Sequence, residues 1–346
     1  MKNALDFSFN QLKNYIATIG EKSFRAGQIF RALHKGLDFS EMTDISKSLR
    51  ERLSEDFTAQ SVKIIKSLVS VDETEKFLFL LNDGNVVEGV LMKYKYGNTI
   101  CVSTQVGCRM NCAFCASGLD GLIRNLTPGE ILGQVIAVNK DNKQGDERAI
   151  TNIVLMGSGE PFDNYDNVTK FLDLVNAEGG LNISMRNISL STCGLCDKIY
   201  KLADDGYNLT LTISLHAPDD ETRLKIMPVT KKYSVEDIKK AVKYYFDKTG
   251  RRIVFEYSMI AGVNDSISHA KALVNLLKGL TCHVNIIALN YVKERGLKGT
   301  NNDNIKEFMD YLEKNKISAT RRRTMGADID GACGQLRRKY LEGKDE

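Results

Sequence analysis

The run Cys108-Arg-Met-Asn-Cys112-Ala-Phe-Cys115 places three cysteines on one short loop, after a strand candidate at 100–103 and the flexible Gly107. Thiolates are soft, charged ligands that suit iron–sulfur clusters. Three of them can hold three irons of a [4Fe-4S] cluster, which leaves the fourth iron open for a small molecule. We therefore predict that Cys108, Cys112 and Cys115 bind a catalytic cluster, because an electron-carrying cluster normally has four cysteines.

Two other interpretations of the cysteine run stay open at this point. A structural zinc site normally has four ligands in two spaced pairs. Here the nearest further cysteine is Cys101, and the next histidine after the run is His216. Three incidental buried thiols would also explain the run. A disulfide framework is disfavoured for the eight cysteines if the protein lies in a reducing cytosol, which leaves metal or thiol chemistry.

Strand-like and helix-like segments alternate from about residue 98 onward. The apolar strand candidates are 100–103, 153–156, 188–191, 209–215, 253–259, 284–289 and 317–319. Repeated β-then-α units predict a parallel sheet with helices outside it. About six such units favour an α/β fold with a partial (β/α) barrel over a closed barrel of eight units. The functional site of such a barrel belongs at the carboxyl ends of its strands.

The rest of the chain divides around this barrel, which we assign to residues 98–325. Apolar residues at helical spacing, such as Leu12 and Ile16, predict a small helical domain over residues 1–75, either RNA-binding or a packing accessory. The turn sequence Asn82-Asp83-Gly84-Asn85 predicts a linking β-hairpin over residues 76–97. Residues 326–346 form a C-terminal loop with a reactive cysteine and a basic tail.

Charge and hydropathy narrow the class of protein further. No apolar run has the length of a membrane-spanning helix, and the N-terminus lacks a secretory signal, so we expect a cytoplasmic protein with no membrane partner. The net charge of +4 is a mild excess. Arg321-Arg322-Arg323 and Arg337-Arg338-Lys339 are bunched near the C-terminus, where they could neutralise RNA phosphates or form a solvated tail.

Two further stretches carry residues of chemical interest. Met156-Gly157-Ser158-Gly159-Glu160-Pro161 ends a strand candidate, and its glycines would let backbone groups approach a ligand closely. Cys333 is flanked by glycines and lies beside two aspartates in Gly326-Ala-Asp-Ile-Asp-Gly-Ala-Cys333-Gly-Gln-Leu336, which is not a typical core setting. Cys333 and Cys101 are either reactive thiols or two small buried hydrophobic side chains.

With these motifs, the chain resembles the radical S-adenosylmethionine (SAM) enzymes, and within them the dual-specificity rRNA/tRNA adenine-C2 methyltransferases. The matching stretches are residues 101–115, 121–128, 156–167, 189–194, 214–218, 283–290 and 326–336. A related enzyme that methylates C8 of adenine in 23S rRNA and confers antibiotic resistance is the alternative. The resemblance implies two substrates: an adenine at the peptidyl-transferase centre of 23S rRNA, and an adenine beside the tRNA anticodon.

The resemblance also implies how a methyl group reaches adenine C2, an electron-poor carbon without a nucleophilic lone pair. Cys333 would take a methyl group from one SAM. The reduced cluster would cleave a second SAM to a 5′-deoxyadenosyl radical, which removes hydrogen from that methyl, so two SAM molecules are used per turnover. The carbon radical would add to the base. Cys101 would then release the product through a transient disulfide with Cys333.

Further residues and partners follow from the same resemblance. Glu88 matches the base proposed for the family, although a lone glutamate on a hairpin is ordinarily solvated. The residues that match SAM-binding positions are Gly159, Glu160, Ser191, Ser214, Leu215, His216 and Asn290. A monomer is implied, served by an electron donor such as a flavodoxin or ferredoxin. A third interpretation, a non-catalytic RNA-binding iron–sulfur protein, would give Cys333 no role.

Overall fold

The computed structural model describes residues 1–143, 147–329, 335–341 and 343. Its strands are β1 (Lys2–Asn3), β2 (Phe57–Thr58), β3 (Val62–Val69), β4 (Glu75–Leu81), β5 (Val86–Tyr94), β6 (Gly97–Cys101), β7 (Gln105–Gly107), β8 (Leu122–Asn125), β9 (Asn152–Leu155), β10 (Ile188–Thr192), β11 (Thr210–Ser214), β12 (Ile253–Met259), β13 (Cys282–Ala288) and β14 (Ala319–Arg321).

The helices lie mostly between these strands. They are α1 (Phe9–Thr18), α2 (Phe24–His34), α3 (Lys47–Asp56), α4 (Pro128–Asn142), α5 (Tyr165–Asn176), α6 (Cys196–Asp204), α7 (Asp220–Ile226), α8 (Val235–Thr249), α9 (Ile267–Leu277), α10 (Asn302–Lys314) and α11 (Gln335–Leu341). None of the helices within the described residues has the length and apolar character needed to cross a membrane.

One ten-stranded sheet organises the molecule, in the order β14-β13-β12-β11-β10-β9-β6-β5-β4-β3. The strands from β6 to β14 in this order pair in parallel, which confirms the predicted α/β fold with a partial barrel. β6 and β14 are not neighbours in the sheet, so the barrel is open between them. The carboxyl ends of the parallel strands meet at one end of the barrel, where the site was expected.

The predicted hairpin is present, but it extends the main sheet. β4 and β5 pair antiparallel around the expected turn, and β5 pairs antiparallel with β6 of the barrel. The hairpin is therefore joined to the barrel by backbone hydrogen bonds along a full strand, which makes it more than a linker.

The helical prediction for residues 1–75 is wrong beyond residue 56. α3 ends at Asp56, and residues 62–69 form β3, which pairs with β4. Val62, Ile64 and Ile65 are β-branched, and such side chains favour strands because they restrict χ1 and pack well on a pleated surface. The alternation of lysines with these apolar residues is the signal of a half-buried edge strand.

The N-terminal helices form as the apolar spacing predicts. Leu12 and Ile16 of α1 are buried, and Ser8 and Gln11 form a capping box at its start. This domain docks on the first turn of α4, where the Gly129 backbone N–H donates to an Asp6 carboxylate oxygen over 2.7 Å. A carboxylate at a helix N-terminus is favoured by the helix dipole, so this contact stabilises the attachment to the barrel.

His34 links the N-terminal domain to the segment that follows α5. Its ring is buried, and its Nδ1 accepts a hydrogen bond from the Leu181 backbone N–H over 3.3 Å. Burial lowers the pKa of His34 to about 4, from 6.5 for an exposed imidazole. The folded protein therefore binds fewer protons than the unfolded chain between these two pH values.

We expect this difference to weaken the fold in mild acid. The stabilisation is fully present above pH 6.5, and it falls by up to about 3 kcal/mol as the pH is lowered toward 4, because each pKa unit corresponds to about 1.4 kcal/mol. Urea unfolding from pH 7 to 4.5 should show a shallower pH slope in His34→Gln than in the wild-type protein, by close to one proton. Equal slopes would contradict this assignment.

Candidate functional site

The cysteine loop lies at the carboxyl end of β6, directly after β7. Gly107 has a φ of +77°, and a Cβ there would lie 2.0 Å from the carbonyl oxygen of Gly121. Only glycine fits such a position, since other side chains are strained at positive φ and here would also collide with backbone. The close approach lets the Cys108 backbone N–H donate to that same carbonyl over 2.9 Å, which fixes the start of the loop.

Contacts from the far side of the barrel hold the rest of this loop. The Ala113 backbone N–H donates to the Ile226 carbonyl over 2.8 Å. Arg295 donates from Nε to the Cys115 carbonyl over 3.2 Å and from Nη2 to the Asn111 side chain over 2.9 Å. The loop conformation is therefore set by the surrounding strand ends, and the structure brings Cys108, Cys112 and Cys115 together as predicted.

The raised pKa values of Cys108 and Cys112 suit the binding of a cationic cluster. Burial raises the pKa of Cys108 to about 12 and that of Cys112 higher still, and the neighbouring cysteines add to both shifts. Thiolates are the metal-binding form, so bound iron would relieve the cost of charging this group. Among the residues described, no three Cys, His, Asp or Glu side chains converge on a single metal ion. A cubane cluster needs no such convergence, because each cysteine binds a different iron, whereas a zinc ion does.

Arg223 is a buried cation beside the cysteine loop, and it was not predicted from the sequence. Its guanidinium donates to the carbonyl oxygens of Cys193 over 2.6 Å, Leu215 over 3.0 Å and Ser214 over 3.2 Å. Its charge partly offsets the burial that raises the pKa of Cys112. Arg223 thus ties the ends of β10 and β11 together and favours thiolates. An arginine inside the short α7 carries no local signal of burial.

The glycine-rich turn after β9 packs against the segment that leads into the cysteine loop. Gly159 has a φ of +108°, and a Cβ there would lie 2.6 Å from the Gln105 side chain. A Cβ on Gly157 would lie 2.7 Å from the Val102 carbonyl oxygen. The Gln105 backbone N–H donates to the Ser158 carbonyl over 3.1 Å. The turn therefore lies beside the cysteine loop, as a SAM site requires.

Glu160 is a buried carboxylate held by backbone amides of two neighbouring strand ends. One oxygen accepts from the Phe162 N–H over 3.1 Å, and the other accepts from the Cys193 N–H over 2.8 Å. Burial raises the pKa of Glu160, and these hydrogen bonds oppose that rise. Each carboxylate oxygen has a second lone pair, so the group retains acceptor capacity for an ammonium donor.

Ser191 and Ser214 end neighbouring strands and face each other, with 3.4 Å between their hydroxyl oxygens. Ser191 also donates to the Glu256 carboxylate over 3.3 Å, and Arg322 pairs with the other oxygen of Glu256 over 2.8 Å. Glu256 was not predicted from the sequence, although a single carboxylate within the apolar strand β12 was a usable signal. Arg322 was predicted to belong to a basic triplet that neutralises RNA phosphates or forms a solvated tail, whereas its side chain pairs with Glu256 inside the barrel.

Leu215 and His216 follow β11 directly and hydrogen-bond to the neighbouring strand β12. The backbone N–H groups of both donate to the Glu256 carbonyl, each over 3.1 Å. The His216 ring is buried, its Nδ1 accepts from the Ser258 N–H over 2.9 Å, and burial lowers its pKa to about 3. Its edge packs on Phe114 of the cysteine loop, with 4.7 Å between ring centroids. Leu215 is a core side chain, so a ligand would meet only its backbone.

Asn290 stands apart from this network. It lies two residues beyond the end of β13 and is exposed. The structure thus brings Gly159, Glu160, Ser191, Ser214 and His216 around the strand ends, whereas Asn290 lies at their margin.

Glu88 lies on β5 and is buried, so the solvated-carboxylate interpretation is wrong. Its Oε2 lies 3.3 Å from the ammonium nitrogen of Lys76, which is itself fully buried on β4. Its other oxygen accepts a hydrogen bond from the Arg337 backbone N–H of α11. Glu88 therefore links the hairpin to the C-terminal helix. Lys76 was missed because a lysine at a strand start is ordinarily exposed.

Cys101 is buried near Glu88, at the carboxyl end of β6. It pairs in register with Val90 of β5 and belongs to an apolar cluster with Met92, Met156 and Met325. Met325 follows β14, so the C-terminal segment crosses the open side of the barrel to reach this thiol's surroundings.

Cys333 lies outside the described residues, but the chain on both sides of it is anchored. Before it, the Gly326 N–H donates to Asp72 over 3.0 Å, and Asp328 accepts from the Ser70 hydroxyl and from the Val71 N–H. These partners belong to the β3–β4 turn. We call these three hydrogen bonds the tail clasp.

After Cys333, α11 packs on β4 and β5 of the β4–β5 hairpin. Arg337 donates to the Val86 carbonyl over 2.7 Å, and Leu336 packs in an apolar cluster with Leu78 and Val86. Arg337 and Arg338 also form ion pairs with Asp120 and Glu294, so these two arginines are not simply a solvated basic tail.

Comparisons with known proteins agree with this geometry. A family model described as "Radical SAM superfamily" matches residues 102–277, and a second, "Ribosomal RNA large subunit methyltransferase N-terminal domain", matches residues 2–58. The chain is 51% identical over 345 residues to a Thermoanaerobacter protein named "Probable dual-specificity RNA methyltransferase RlmN", with 99% of each chain covered. It is 52% identical over 344 residues to a Clostridium botulinum protein of the same name, again covering 99% of each.

A solved structure resembles the whole molecule. The crystal structure of a radical SAM methyltransferase from Sphaerobacter thermophilus has a TM-score of 0.93 and 38% sequence identity, and the match covers 97% of this chain and 99% of the other. The likeness therefore includes the N-terminal helices and the hairpin as well as the barrel.

Proposed function

Because the chain belongs to the RlmN family of dual-specificity RNA methyltransferases, within the radical SAM superfamily, we propose that it methylates C2 of adenine in 23S rRNA and in tRNA. The family implies SAM, a [4Fe-4S] cluster and an RNA substrate. The observation that carries the proposal is the identity of 51% over 99% of the chain. Membership of an enzyme family disfavours a non-catalytic iron–sulfur protein.

Different residues at the carboxyl ends of the barrel strands would bind the cluster and SAM. We assign the cluster to Cys108, Cys112 and Cys115, whose loop is held by backbone contacts on both sides. Glu160, with Gly159, is suited to the ammonium group of SAM, because its buried carboxylate already has both oxygens oriented. Ser191, Ser214, the Leu215 and His216 backbone, and Asn290 complete the proposed SAM contacts. When bound, cluster and SAM supply a radical able to remove hydrogen from a methyl group.

The chain's own thiols would carry the methyl group. The Cys333 thiolate would attack the methyl carbon of one SAM and release S-adenosylhomocysteine, and a second SAM would be used in the same turnover. The methyl carbon then joins adenine, which links Cys333 covalently to RNA. Glu88 is our candidate for the base that takes the proton from the substituted ring carbon. The Cys101 thiolate would attack the sulfur of Cys333, so that the S–C bond to the RNA breaks as the disulfide forms. The freed carbon would take a proton to complete the methyl group, and the bound cluster would be the acceptor for the unpaired electron.

Further parts of the proposal concern partners. We propose that the N-terminal helices within residues 1–75 bind RNA, in line with the match of residues 2–58 to an rRNA methyltransferase domain. Residues 98–325 would form the catalytic barrel, and residues 326–346 would carry the reactive thiol. An electron donor such as a flavodoxin or ferredoxin would reduce the cluster of a monomeric enzyme.

Nucleoside mass spectrometry tests the position of methylation. We expect the reconstituted enzyme to convert one adenosine of protein-free 23S rRNA to 2-methyladenosine, and to do the same in tRNA. The C8-methylating resistance enzyme is the second candidate, since the resemblance gives it the same cysteines and radical. An 8-methyladenosine product would therefore overturn the C2 assignment while leaving the thiol roles in place.

A further inference from the structure

A cavity of about 380 Å³ lies inside the barrel, on the far side of the SAM residues from the cluster loop. Its wall includes Tyr94, Tyr96 and Arg186, which stand at the amino ends of the strands, and Met156, Glu256 and Arg322 deeper inside. This volume lies within the range of about 300 to 1,000 Å³ that is usual for small-ligand sites. The cavity is therefore large enough to hold a small ligand, and its mouth lies at the amino ends of the strands.

The inner end of the cavity reaches the proposed reaction centre. Met92 and Met156 line it and belong to the same apolar cluster as Cys101. Glu256 lines it too and accepts a hydrogen bond from Ser191. A group that fills the cavity would thus lie between the SAM-binding strand ends and the thiol that completes the reaction.

The mouth of the cavity carries an exposed aromatic pair. The Tyr94 and Tyr96 rings are stacked, with centroids 5.0 Å apart and planes within 5°. Tyr96 is 74% exposed, in the turn between β5 and β6. The sequence of this turn, Lys93-Tyr-Lys95-Tyr96, alternates cations with aromatic rings. Exposed aromatic faces beside cations are typical of surfaces that bind unpaired nucleotides, because every base can stack on them.

The described residues at the opposite end of the barrel include the cysteine loop. There the cysteine loop is held over the strand ends by its contacts to Ile226 and Arg295, and Phe114 packs on His216. Exposed Arg186 stands at the tyrosine-lined mouth instead, where it could contact an RNA phosphate. The exposed stacking surface beside Arg186 thus favours the mouth for entry of RNA.

We propose that an unpaired nucleotide of the RNA substrate enters the barrel through this mouth, with a base stacked on Tyr96 and a phosphate beside Arg186. This site rests on the proposed function, because it assumes that RNA is the substrate. It names the surface that receives the nucleotide, and neither the cluster motif nor the SAM residues assign that surface. The target adenine would then reach Cys101, Cys333 and SAM at the inner end of the cavity, while the base that stacks on Tyr96 is a neighbouring one.

The experiment compares Tyr96→Ala, Tyr96→Phe and wild type in methylation of a stem-loop RNA with an unpaired adenine. Loss of stacking should lower kcat/KM roughly tenfold, mainly through a higher KM, because stacking on an aromatic side chain is worth about that much per base. Tyr96→Phe keeps the ring and should stay near wild type. Arg186→Ala should reduce the salt dependence of RNA binding by about one counterion.

Two controls separate this site from a general defect. Methyl loading of the enzyme by SAM without RNA, read by intact mass, should be unchanged in Tyr96→Ala. Tyr244→Ala removes a ring from the Tyr200–Tyr244 pair on the outer helices and should leave kcat/KM unchanged. An unchanged kcat/KM in Tyr96→Ala, or a loss of RNA-free loading, would overturn the entry site. A wild-type enzyme that methylates no RNA would instead overturn the proposed function.

Discussion

Cys333→Ala is expected to abolish RNA methylation completely. No other thiol can take over the methyl group if the flanking anchors direct this segment to one place. Those anchors are the tail clasp on one side and the contact of Arg337 with Glu88 on the other. The first lies at the β3–β4 turn, and the second lies on β5, which pairs with β6, the strand of Cys101. Nucleoside mass spectrometry of 23S rRNA and tRNA, together with intact mass of the SAM-treated protein, measures the effect.

The matched control is Cys282→Ala. Cys282 is a partly buried cysteine at the amino end of β13, away from the strand ends that carry the proposed site. This variant should keep wild-type methylation and gain one methyl group on treatment with SAM, whereas Cys333→Ala should gain none. Methylated RNA from Cys333→Ala would rule out a methyl-carrying role for this thiol.

Cys101→Ala is expected to stop the enzyme after the methyl carbon has joined the RNA. Without this thiol, nothing attacks the sulfur of Cys333, so the protein stays linked to its substrate. Because Cys101 is buried in an apolar cluster with Met92 and Met156, alanine should be tolerated by the fold. We expect a denaturation-resistant protein–RNA band approaching one RNA per enzyme, with less than one turnover.

The double variant Cys101→Ala/Cys333→Ala controls for chance cross-linking and should show no such band. Cys196→Ala, which removes another buried thiol, should turn over like the wild type. Free product and normal turnover from Cys101→Ala would show that a different group releases the RNA.

Much of the fold could be predicted because its signals are local. Apolar strands separated by helical segments predicted the partial barrel, and local side chains such as Thr127 and Glu130, which form the capping box before α4, fix where these helices start. The turn sequence likewise located the hairpin. The wrong prediction at β3 has a local cause too: this strand follows a helical run directly, and its register shift between Ile64 and Lys66 interrupts the strict alternation of a strand.

The site was predicted less completely, because its polar pairs join distant parts of the chain. Glu256 and Arg322 are 66 residues apart, and Gly326 and Asp72 are 254 apart. No periodicity in a single sequence reports such pairs. Cysteine spacing predicts the cluster loop because its three proposed ligands lie within eight residues. Glu88 could be named only by resemblance, since its partner Lys76 gives no signal of burial.

The tail clasp has a kinetic consequence for the release of RNA. A thiol in a segment that is held at both ends samples a small volume, so its effective concentration near a neighbouring group can far exceed that of any dissolved competitor. Small thiols of the cell could also attack the sulfur of Cys333 once it carries RNA. The chain is anchored on both sides of Cys333, at Asp72 and at Glu88, so Cys101 would compete as an intramolecular nucleophile. The rate of product release should thus be independent of the thiol concentration of the medium.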